Sequence, residues 1–229
     1  MYRDKTVGAV ILAAGKSNRM DGDLNKVYRE LGNKTVLQHS IETFTDSGIT
    51  DDLVLVYNGA DKAQLERKVI PEIVSEASVS TVVGGEKRQD SSLAGLRELE
   101  SDYVFVHDGA RPNFTSRLTE KLLQASIEYR AAFPGIRPVD TIRKKKNGFA
   151  GSTVDRDGLV RVQTPQCFER KLVLEALQES VEVGKYYSDD SGAVMEYWDI
   201  DPKIVTGDRE NVKLTTEKDM KFAELLFTR

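Results

Sequence analysis

The chain has 229 residues, of which 39% are hydrophobic and 31% are charged, and its formal net charge is −4. This composition is typical of one globular domain, and a weakly acidic chain argues against a nucleic-acid partner. No apolar run approaches the roughly 20 residues that cross a bilayer, and the N-terminus does not resemble a signal peptide. The single cysteine, Cys167, excludes an internal disulfide and fits a reducing compartment. We therefore expect one cytoplasmic domain over residues 1–229 with no membrane partner.

The first predicted element is a buried strand over residues 7–12, which runs into the small-residue turn Ala13-Ala14-Gly15. Two cations, Arg19 and Lys26, follow this turn. Backbone N–H groups in such a turn, together with fixed cations, can bind a phosphate group. The same pattern also fits an ordinary strand-to-helix turn with two solvated cations. It is neither a Walker A loop nor a three-glycine dinucleotide fingerprint, which disfavours an NAD-binding dehydrogenase.

Strands and helices then alternate along the chain. The predicted elements are a helix at 35–47, a strand at 52–57, a helix at 62–70, a strand at 79–83, a helix at 90–99, a strand at 102–107, a helix at 115–129 and a strand at 131–136. This alternation predicts an α/β fold with a mainly parallel sheet that helices cover on both faces. Ligands bind at the carboxyl ends of the strands in such sheets. The glycine-rich segments after the strands at 7–12, 79–83 and 102–107 are therefore expected to meet at one ligand-binding edge.

Residues 140–154 interrupt the alternation with a predicted hairpin, because Asn147-Gly148 is a strong turn signal. A charged hairpin with little to bury is either a solvated flap or an arm that grips something. The remaining predicted elements are helices at 170–180 and 188–198, short strands at 203–206 and 212–214, and a closing helix at 217–227.

Several charged and polar residues lie in predicted irregular segments, where contacts with anions are more common than on helix faces. The cations are Arg19, Lys26, Arg88, Arg111, Arg156 and Lys213, and the accompanying residues are Asp108, Thr141, Thr164 and Ser188. Asp108 closes a buried strand, a position typical of a carboxylate that meets a metal or a sugar hydroxyl, although a turn cap is the alternative. No nucleophile elbow is present. The two histidines are too few for a histidine-based metal cluster, so a divalent ion would be held by carboxylates and substrate phosphates.

A set of motifs, taken together and in order along nearly the whole chain, resembles one family of Rossmann-like nucleotidyltransferases, the 2-C-methyl-D-erythritol 4-phosphate cytidylyltransferases. The motifs are Leu12-Ala13-Ala14-Gly15 with Arg19-Met20 and Lys26, GGEKRQDS at 84–91, HDGARP at 107–112, Asp140-Thr141, TVDR at 153–156, TPQ at 164–166 and ENVKLT at 210–215. Small departures include Asn25, where the family usually has proline, and Ser188, where threonine is frequent. These departures keep the cations.

The resemblance implies transfer of a cytidylyl group from CTP to 2-C-methyl-D-erythritol 4-phosphate in the non-mevalonate isoprenoid pathway. Carried over position by position, it implies roles on the CTP phosphates for Arg19, Lys26 and Lys213. It implies nucleotide contacts from Ala13, Ala14, Gly15, Gly85, Glu86, Ser91 and Gly109. It implies contacts with the sugar-phosphate acceptor from Asp108, Arg111, Thr141, Arg156, Thr164 and Ser188. The implied cofactor is Mg²⁺, held mainly by the CTP phosphates rather than by the protein.

The resemblance also implies a quaternary structure. The predicted hairpin, at about residues 138–156, corresponds to a protruding arm that hooks a second subunit, so a homodimer is expected and Thr141 would serve the neighbouring site. Two alternatives stay open. The ribitol-5-phosphate cytidylyltransferases share many of these motifs and differ in the acceptor. A non-catalytic nucleotide-binding regulatory protein is the alternative from another class, although the retained cations and Asp108 argue against it.

Overall fold

The computed structural model describes residues 2, 4–15 and 25–227, and these residues are arranged around one large twisted sheet. The strands are β1 (Val7–Ala13), β2 (Glu30–Leu31), β3 (Lys34–Thr35), β4 (Asp52–Tyr57), β5 (Ser78–Val83), β6 (Tyr103–Asp108), β7 (Ala131–Ile136), β8 (Ile142–Lys146), β9 (Phe149–Val154), β10 (Arg161–Val162), β11 (Gln166–Glu169) and β12 (Lys203–Thr206). The α-helices are α1 (Val36–Thr45), α2 (Lys62–Lys68), α3 (Arg88–Arg97), α4 (Ser116–Tyr129), α5 (Arg170–Glu182), α6 (Asp190–Trp198) and α7 (Glu217–Phe227).

The large sheet has the strand order β10-β7-β11-β6-β1-β4-β5, and β12 also pairs with β7. Strands β5, β4, β1 and β6 are mutually parallel, which confirms the mainly parallel sheet. Strands β10 and β11 are the exceptions. Strand β11 runs antiparallel between β6 and β7, and β10 runs antiparallel to β7. The predicted strand at 212–214 is wrong. That segment is irregular, and its backbone N–H at Leu214 makes one hydrogen bond of 2.8 Å to Ala110 O instead of joining a ladder.

Two hydrophobic layers cover the two faces of the sheet, as the alternation of elements predicts. Alternate residues of β1 point to opposite layers, because successive side chains of a strand face opposite ways. Ile11 belongs to the layer that includes Phe44 of α1, whereas Val10 belongs to the layer that includes Leu96 of α3. A Cβ atom on Gly95 would lie 2.4 Å from Val10 Cγ1, so a glycine here lets α3 lie directly on the sheet.

Side-chain caps fix several helix ends. Thr115 is the N-cap of α4, where its hydroxyl accepts a 3.2 Å hydrogen bond from the backbone N–H of Leu118. Asp189 is the N-cap of α6, and its carboxylate accepts from Gly192 N–H at 3.3 Å. Both caps lie within one residue of the predicted helix starts at 115 and 188.

The predicted hairpin is present as β8 and β9, which form a two-stranded sheet of their own. Asn147 and Gly148 at its tip have φ values of 50° and 86°, the left-handed backbone that a two-residue hairpin turn requires. Most of its side chains are exposed, and Phe149 is 79% exposed. The role of this arm in dimerisation stays a prediction. Among the residues that the structure describes, no helix has the length and apolar character needed to cross a membrane.

We expect Leu96→Ala to lower the free energy of unfolding by about 2–5 kcal/mol, because Leu96 is fully buried between α3 and the sheet and its truncation leaves a cavity. Leu225→Ala is the matched control, since Leu225 on α7 is 64% exposed. Urea unfolding followed by circular dichroism measures both. Equal losses for the two variants would contradict this packing of α3.

Candidate active site

A cleft of about 310 Å³ lies at the carboxyl ends of the central strands, at the lower end of the range for small-molecule sites. The register of β1 explains its position, since Leu12 is level with both Val56 of β4 and Asp108 of β6. The loops that leave these strands therefore emerge side by side. The described lining residues are Leu12, Ala13, Ala14, Gly15, Lys26, Val27, Asn58, Gly85, Glu86, Lys87, Arg88, Ser91, Asp108, Ala110 and Lys213.

Two turns without large side chains approach each other at the floor of the cleft. A Cβ atom on Gly84 would lie 2.4 Å from the Cβ of Ala14 and 2.7 Å from Ser91 Oγ. Any side chain at Gly84 would therefore push the turn after β5 away from the turn after β1. The close approach leaves backbone and small groups facing the cleft, as a site that binds phosphate or sugar by its main chain requires.

Asp108 is the centre of charge in the cleft. Its Oδ1 accepts a 3.1 Å hydrogen bond from Arg88 Nε, and its Oδ2 lies 2.8 Å from Lys213 Nζ and 3.6 Å from Arg111 Nε. Burial alone would raise the pKa of Asp108, but the attraction of Arg88, Lys213 and Arg111 outweighs burial and holds that pKa well below its usual range. The carboxylate is thus ionised at any physiological pH.

A second buried carboxylate fixes Arg88. Arg88 Nη1 donates a 2.7 Å hydrogen bond to Oδ2 of Asp190, the first residue of α6. Burial would lower the pKa of Arg88, but Asp190 and Asp108 together raise it. Within this cluster the three cations Arg88, Arg111 and Lys213 exceed the two carboxylates by one charge. The cluster is therefore suited to an anionic ligand.

His107 and Thr164 support Asp108 from below the cleft. His107 is fully buried, with Nε2 3.1 Å from the carbonyl oxygen of Arg111 and Nδ1 3.1 Å from Thr164 Oγ1. Because a carbonyl only accepts, Nε2 carries the proton and Nδ1 accepts from the Thr164 hydroxyl. The same Thr164 oxygen accepts from the backbone N–H of Asp108 at 3.1 Å. This chain of hydrogen bonds fixes the strand end from which the Asp108 side chain projects.

The segment that carries Lys213 is held by backbone contacts. Asn211 is buried and donates from Nδ2 to Thr164 O at 2.8 Å, while its own carbonyl accepts from Arg111 Nη1 at 2.8 Å. Gln163 Nε2 donates to Asp208 O at 2.7 Å. These hydrogen bonds hold the segment in an irregular conformation, where a strand at 212–214 was predicted. They bring Lys213 beside Asp108, which is far away in the sequence.

No group of three or more histidine, cysteine, aspartate or glutamate side chains that could hold a metal ion occurs among residues 2, 4–15 and 25–227. The carboxylates among the described lining residues are Glu86 and Asp108. An ion bound here would therefore depend on a ligand for most of its oxygens.

Comparison with known proteins decides the family. The family model described as IspD, 2-C-methyl-D-erythritol 4-phosphate cytidylyltransferase, matches residues 7–229. The chain belongs to the 2-C-methyl-D-erythritol 4-phosphate cytidylyltransferase family. A relative with that name from Geobacillus thermodenitrificans is 37% identical over 223 residues, which are 95% of each chain.

Solved structures of this cytidylyltransferase family agree with the fold. The structure of 4-diphosphocytidyl-2C-methyl-D-erythritol synthase from Anaerococcus prevotii superposes with a TM-score of 0.83 at 27% identity, over 98% of this chain and 99% of that chain. The 2-C-methyl-D-erythritol 4-phosphate cytidylyltransferase from Thermus thermophilus gives a TM-score of 0.80 at 26% identity, over 98% of this chain and 100% of that chain.

The cleft brings together many of the residues predicted from the resemblance to this family. Those that line it are Ala13, Ala14, Gly15, Lys26, Gly85, Glu86, Ser91, Asp108 and Lys213. Arg19 lies outside the described residues. Arg111 and Thr164 stand behind Asp108, and Gly109 is bonded through its N–H to Leu12 O at 2.9 Å.

Three predicted residues lie elsewhere in the described chain. Thr141 is exposed directly before β8, and Arg156, exposed after β9, donates to the carbonyl of Val139. Ser188 is exposed in the segment before α6. That segment is anchored by Gln89, whose amide donates to Lys185 O and accepts from Tyr187 N–H, both at 3.0 Å. Within one chain, the arm residues are not brought to the cleft.

Several residues that shape the site were given no role in the predictions from the sequence, although three of them stand inside the quoted motifs. They are Asn58, Lys87, His107, Gln163, Asp190 and Asn211. Asp190 stands in the Ser-Asp-Asp-Ser sequence at 188–191, which is typical of a helix start. That pattern does not indicate its ion pair with the distant Arg88. Asn58, His107, Gln163 and Asn211 bond to backbone carbonyl groups, and such contacts leave no residue pattern.

We expect the stability of the protein to fall as the pH is lowered from about 6.5, because burial lowers the pKa of His107 to about 3 while an unfolded histidine titrates near 6.5. Between these values the unfolded chain binds a proton that the folded chain excludes, so this group costs about 1.4 kcal/mol per pH unit on acidification. His107→Gln keeps an N–H donor and removes the titration. Urea unfolding at pH 4.5, 5.5 and 6.5 should give a flatter slope for the variant, and parallel slopes would contradict the buried neutral imidazole.

Proposed function

We propose that the chain transfers the cytidylyl group of CTP to 2-C-methyl-D-erythritol 4-phosphate and releases 4-diphosphocytidyl-2-C-methyl-D-erythritol and pyrophosphate. One observation carries this proposal. The cleft joins Lys26, Lys213 and the ionised Asp108, from three distant parts of the chain, around the small-residue turn at the end of β1. Such an arrangement suits a reaction that brings two anionic ligands together. Membership of the cytidylyltransferase family identifies that reaction.

The chemistry is an in-line displacement at phosphorus. A phosphate oxygen of the acceptor forms a bond to the α-phosphorus of CTP, the bond from that phosphorus to the bridging oxygen breaks, and pyrophosphate leaves with the electron pair. The attacking oxygen is already an anion, so no side chain has to remove a proton from it. Catalysis then consists of positioning and of stabilising charge on the α-phosphoryl oxygens.

The cations of the cleft supply that stabilisation. Lys26, at the start of a short 3₁₀-helix, and Lys213, held beside Asp108, face the cleft and are proposed to contact the CTP phosphates. Arg19 is proposed to act with them. The backbone of Ala13–Gly15, with Gly85, Glu86 and Ser91, would then receive the nucleotide, since these residues line the same cleft. Gly109 is not among the described residues that line the cleft. We propose that it supports the nucleotide contact through the hydrogen bond from its N–H to Leu12 O.

The acceptor is proposed to bind around Asp108. A carboxylate held ionised by three cations accepts hydrogen bonds from hydroxyl groups, and the excess positive charge of the cluster suits a phosphate. Arg111 and Thr164 hold Asp108 in place, and Ser188 lies in the segment that precedes the buried Asp190.

Mg²⁺ fits this site as an ion carried by the nucleotide. The cleft offers Glu86 rather than a cage of carboxylates, because Asp108 is already paired with three cations, and Mg²⁺ commonly combines one or two carboxylates with substrate phosphates and water. When bound, the ion would neutralise charge on the triphosphate.

The arm supports a homodimer as a proposal. Thr141 and Arg156 flank a hairpin that pairs with no other described strand, and Phe149 on it is exposed. We propose that the hairpin crosses to a second subunit, where Thr141 completes the neighbouring acceptor site. We also propose that the enzyme works in the cytoplasm, where its single thiol, Cys167, stays reduced.

Lys213→Ala is expected to lower kcat on the order of 100-fold, because it removes a preorganised cation from the reacting phosphoryl group. Lys171→Ala, which removes an exposed cation of α5, is the matched control and should keep parental turnover. Continuous measurement of pyrophosphate release gives both values. Near-parental turnover of the Lys213 variant would contradict the role of this residue.

The acceptor is tested by measuring pyrophosphate release with CTP and Mg²⁺ and either 2-C-methyl-D-erythritol 4-phosphate or ribitol 5-phosphate. We expect release with the first acceptor. Release with ribitol 5-phosphate alone would keep the mechanism and replace the substrate. CTP binding without release in either mixture would favour the regulatory protein over the enzyme.

A further inference from the structure

Asn25 carries a buried amide that joins the turn after β1 to the segment after β4, beside the nucleotide cleft. The residue is 8% exposed, and its Nδ2 lies 2.8 Å from Asp61 Oδ2, 3.0 Å from Gly15 O and 3.4 Å from Ala13 O. The NH₂ group has two protons, so the two shortest contacts are the main hydrogen bonds. The amide therefore ties the turn after β1 to Asp61, which follows β4.

The other end of the same side chain organises Lys26. Asn25 is the N-cap of the 3₁₀-helix Lys26–Tyr28, and its Oδ1 accepts from the backbone N–H of Val27 at 3.5 Å. The backbone carbonyl of Asn25 accepts from the backbone N–H of Tyr28 at 2.9 Å. Val27 and Tyr28 are buried, so the helix is fixed to the core and Lys26 starts from a defined point at the cleft.

We propose that Asn25 is a positioning residue that sets the distance between Lys26 and the backbone of Ala13–Gly15. The inference rests on the proposed function, in which these two elements contact the same CTP phosphates. A phosphate held by the turn meets the ammonium group only if the two segments keep a fixed separation. Asn25 spans that separation directly, with Asp61 holding the amide proton that points away from the turn.

Replacing the side-chain amide offers a sharp test. Asn25→Ala removes all three side-chain donor contacts and the acceptor for Val27 without adding a charge. Asn25→Asp keeps the acceptor for Val27 but has no donor and places a second carboxylate beside Asp61. Asn25→Asp combined with Asp61→Asn restores a donor between positions 25 and 61 while leaving Gly15 O without one.

Steady-state kinetics with CTP and the acceptor, together with CTP titration by calorimetry, measures these variants. We expect Asn25→Asp and Asn25→Ala to lower kcat/KM for CTP by about 10- to 100-fold, because a small displacement of a positioned group has an effect of this size. The combined Asn25→Asp, Asp61→Asn variant should recover part of the loss. Asn33→Asp, in the exposed turn between β2 and β3, is the matched control and should equal the parent.

A second comparison separates positioning from stability. In a Lys26→Ala background, Asn25→Asp should cost less than about 2-fold, since the group that it positions is gone. An equal cost in both backgrounds, or parental kinetics for Asn25→Ala, would overturn the proposal. CTP titration distinguishes failure of the proposed transfer from failure of the proposed role of Asn25. A parent protein that binds CTP but releases no pyrophosphate contradicts the proposed transfer, whereas equal CTP affinity of parent and Asn25→Asp contradicts the role of Asn25.

Discussion

The ionised carboxylate of Asp108, buried at the end of β6, is the constraint on which the site depends. A charge taken out of water is costly unless cations and hydrogen bonds compensate it, and here Arg88, Arg111 and Lys213 supply the cations. Two of these cations are themselves fixed by other parts of the chain. Arg88 is held by Asp190 of α6, and Arg111 by the backbone at Asn211. The need to neutralise one carboxylate thus draws four segments to a single point.

The sheet makes this convergence possible. Parallel strands β1, β4, β5 and β6 end at one edge, and the level register of β1 with its neighbours places their loops side by side. Small residues at Ala14 and Gly84 then let two of these loops approach to contact distance. The cleft results from strand order, register and residue size, and the charged side chains are added to a surface that the backbone has already shaped.

Local patterns predicted most of this fold. The apolar run at 7–12, the alternation up to residue 136 and the Asn147-Gly148 turn each carry a short-range signal, and the corresponding elements are present. Strand β11 was not predicted, because its antiparallel pairing with β6 and β7 depends on tertiary contacts that no local pattern records. The segment at 212–214 is the opposite case, a predicted strand that is irregular in the structure. Its apolar residues resemble a strand, but Leu214 is buried against α7 and β2 rather than in a sheet. In the site, motifs located the cations, whereas contacts through backbone carbonyls, such as those of Asn211 and Gln163, were invisible to them.

The antiparallel insertion of β11 beside β6 has a consequence for folding. The strand that carries Asp108 pairs on one side with β1 and on the other with a strand that the ribosome delivers much later. Arg111 and Asn211, which are 100 residues apart, also meet in the folded cluster that holds Lys213 beside its carboxylate. Pairings of such high sequence separation carry a large loop-closure entropy and form slowly. The charged centre of the molecule can therefore be completed only when nearly the entire chain has been synthesised, and a fragment that ends before residue 213 leaves Asp108 without one of its three counter-charges.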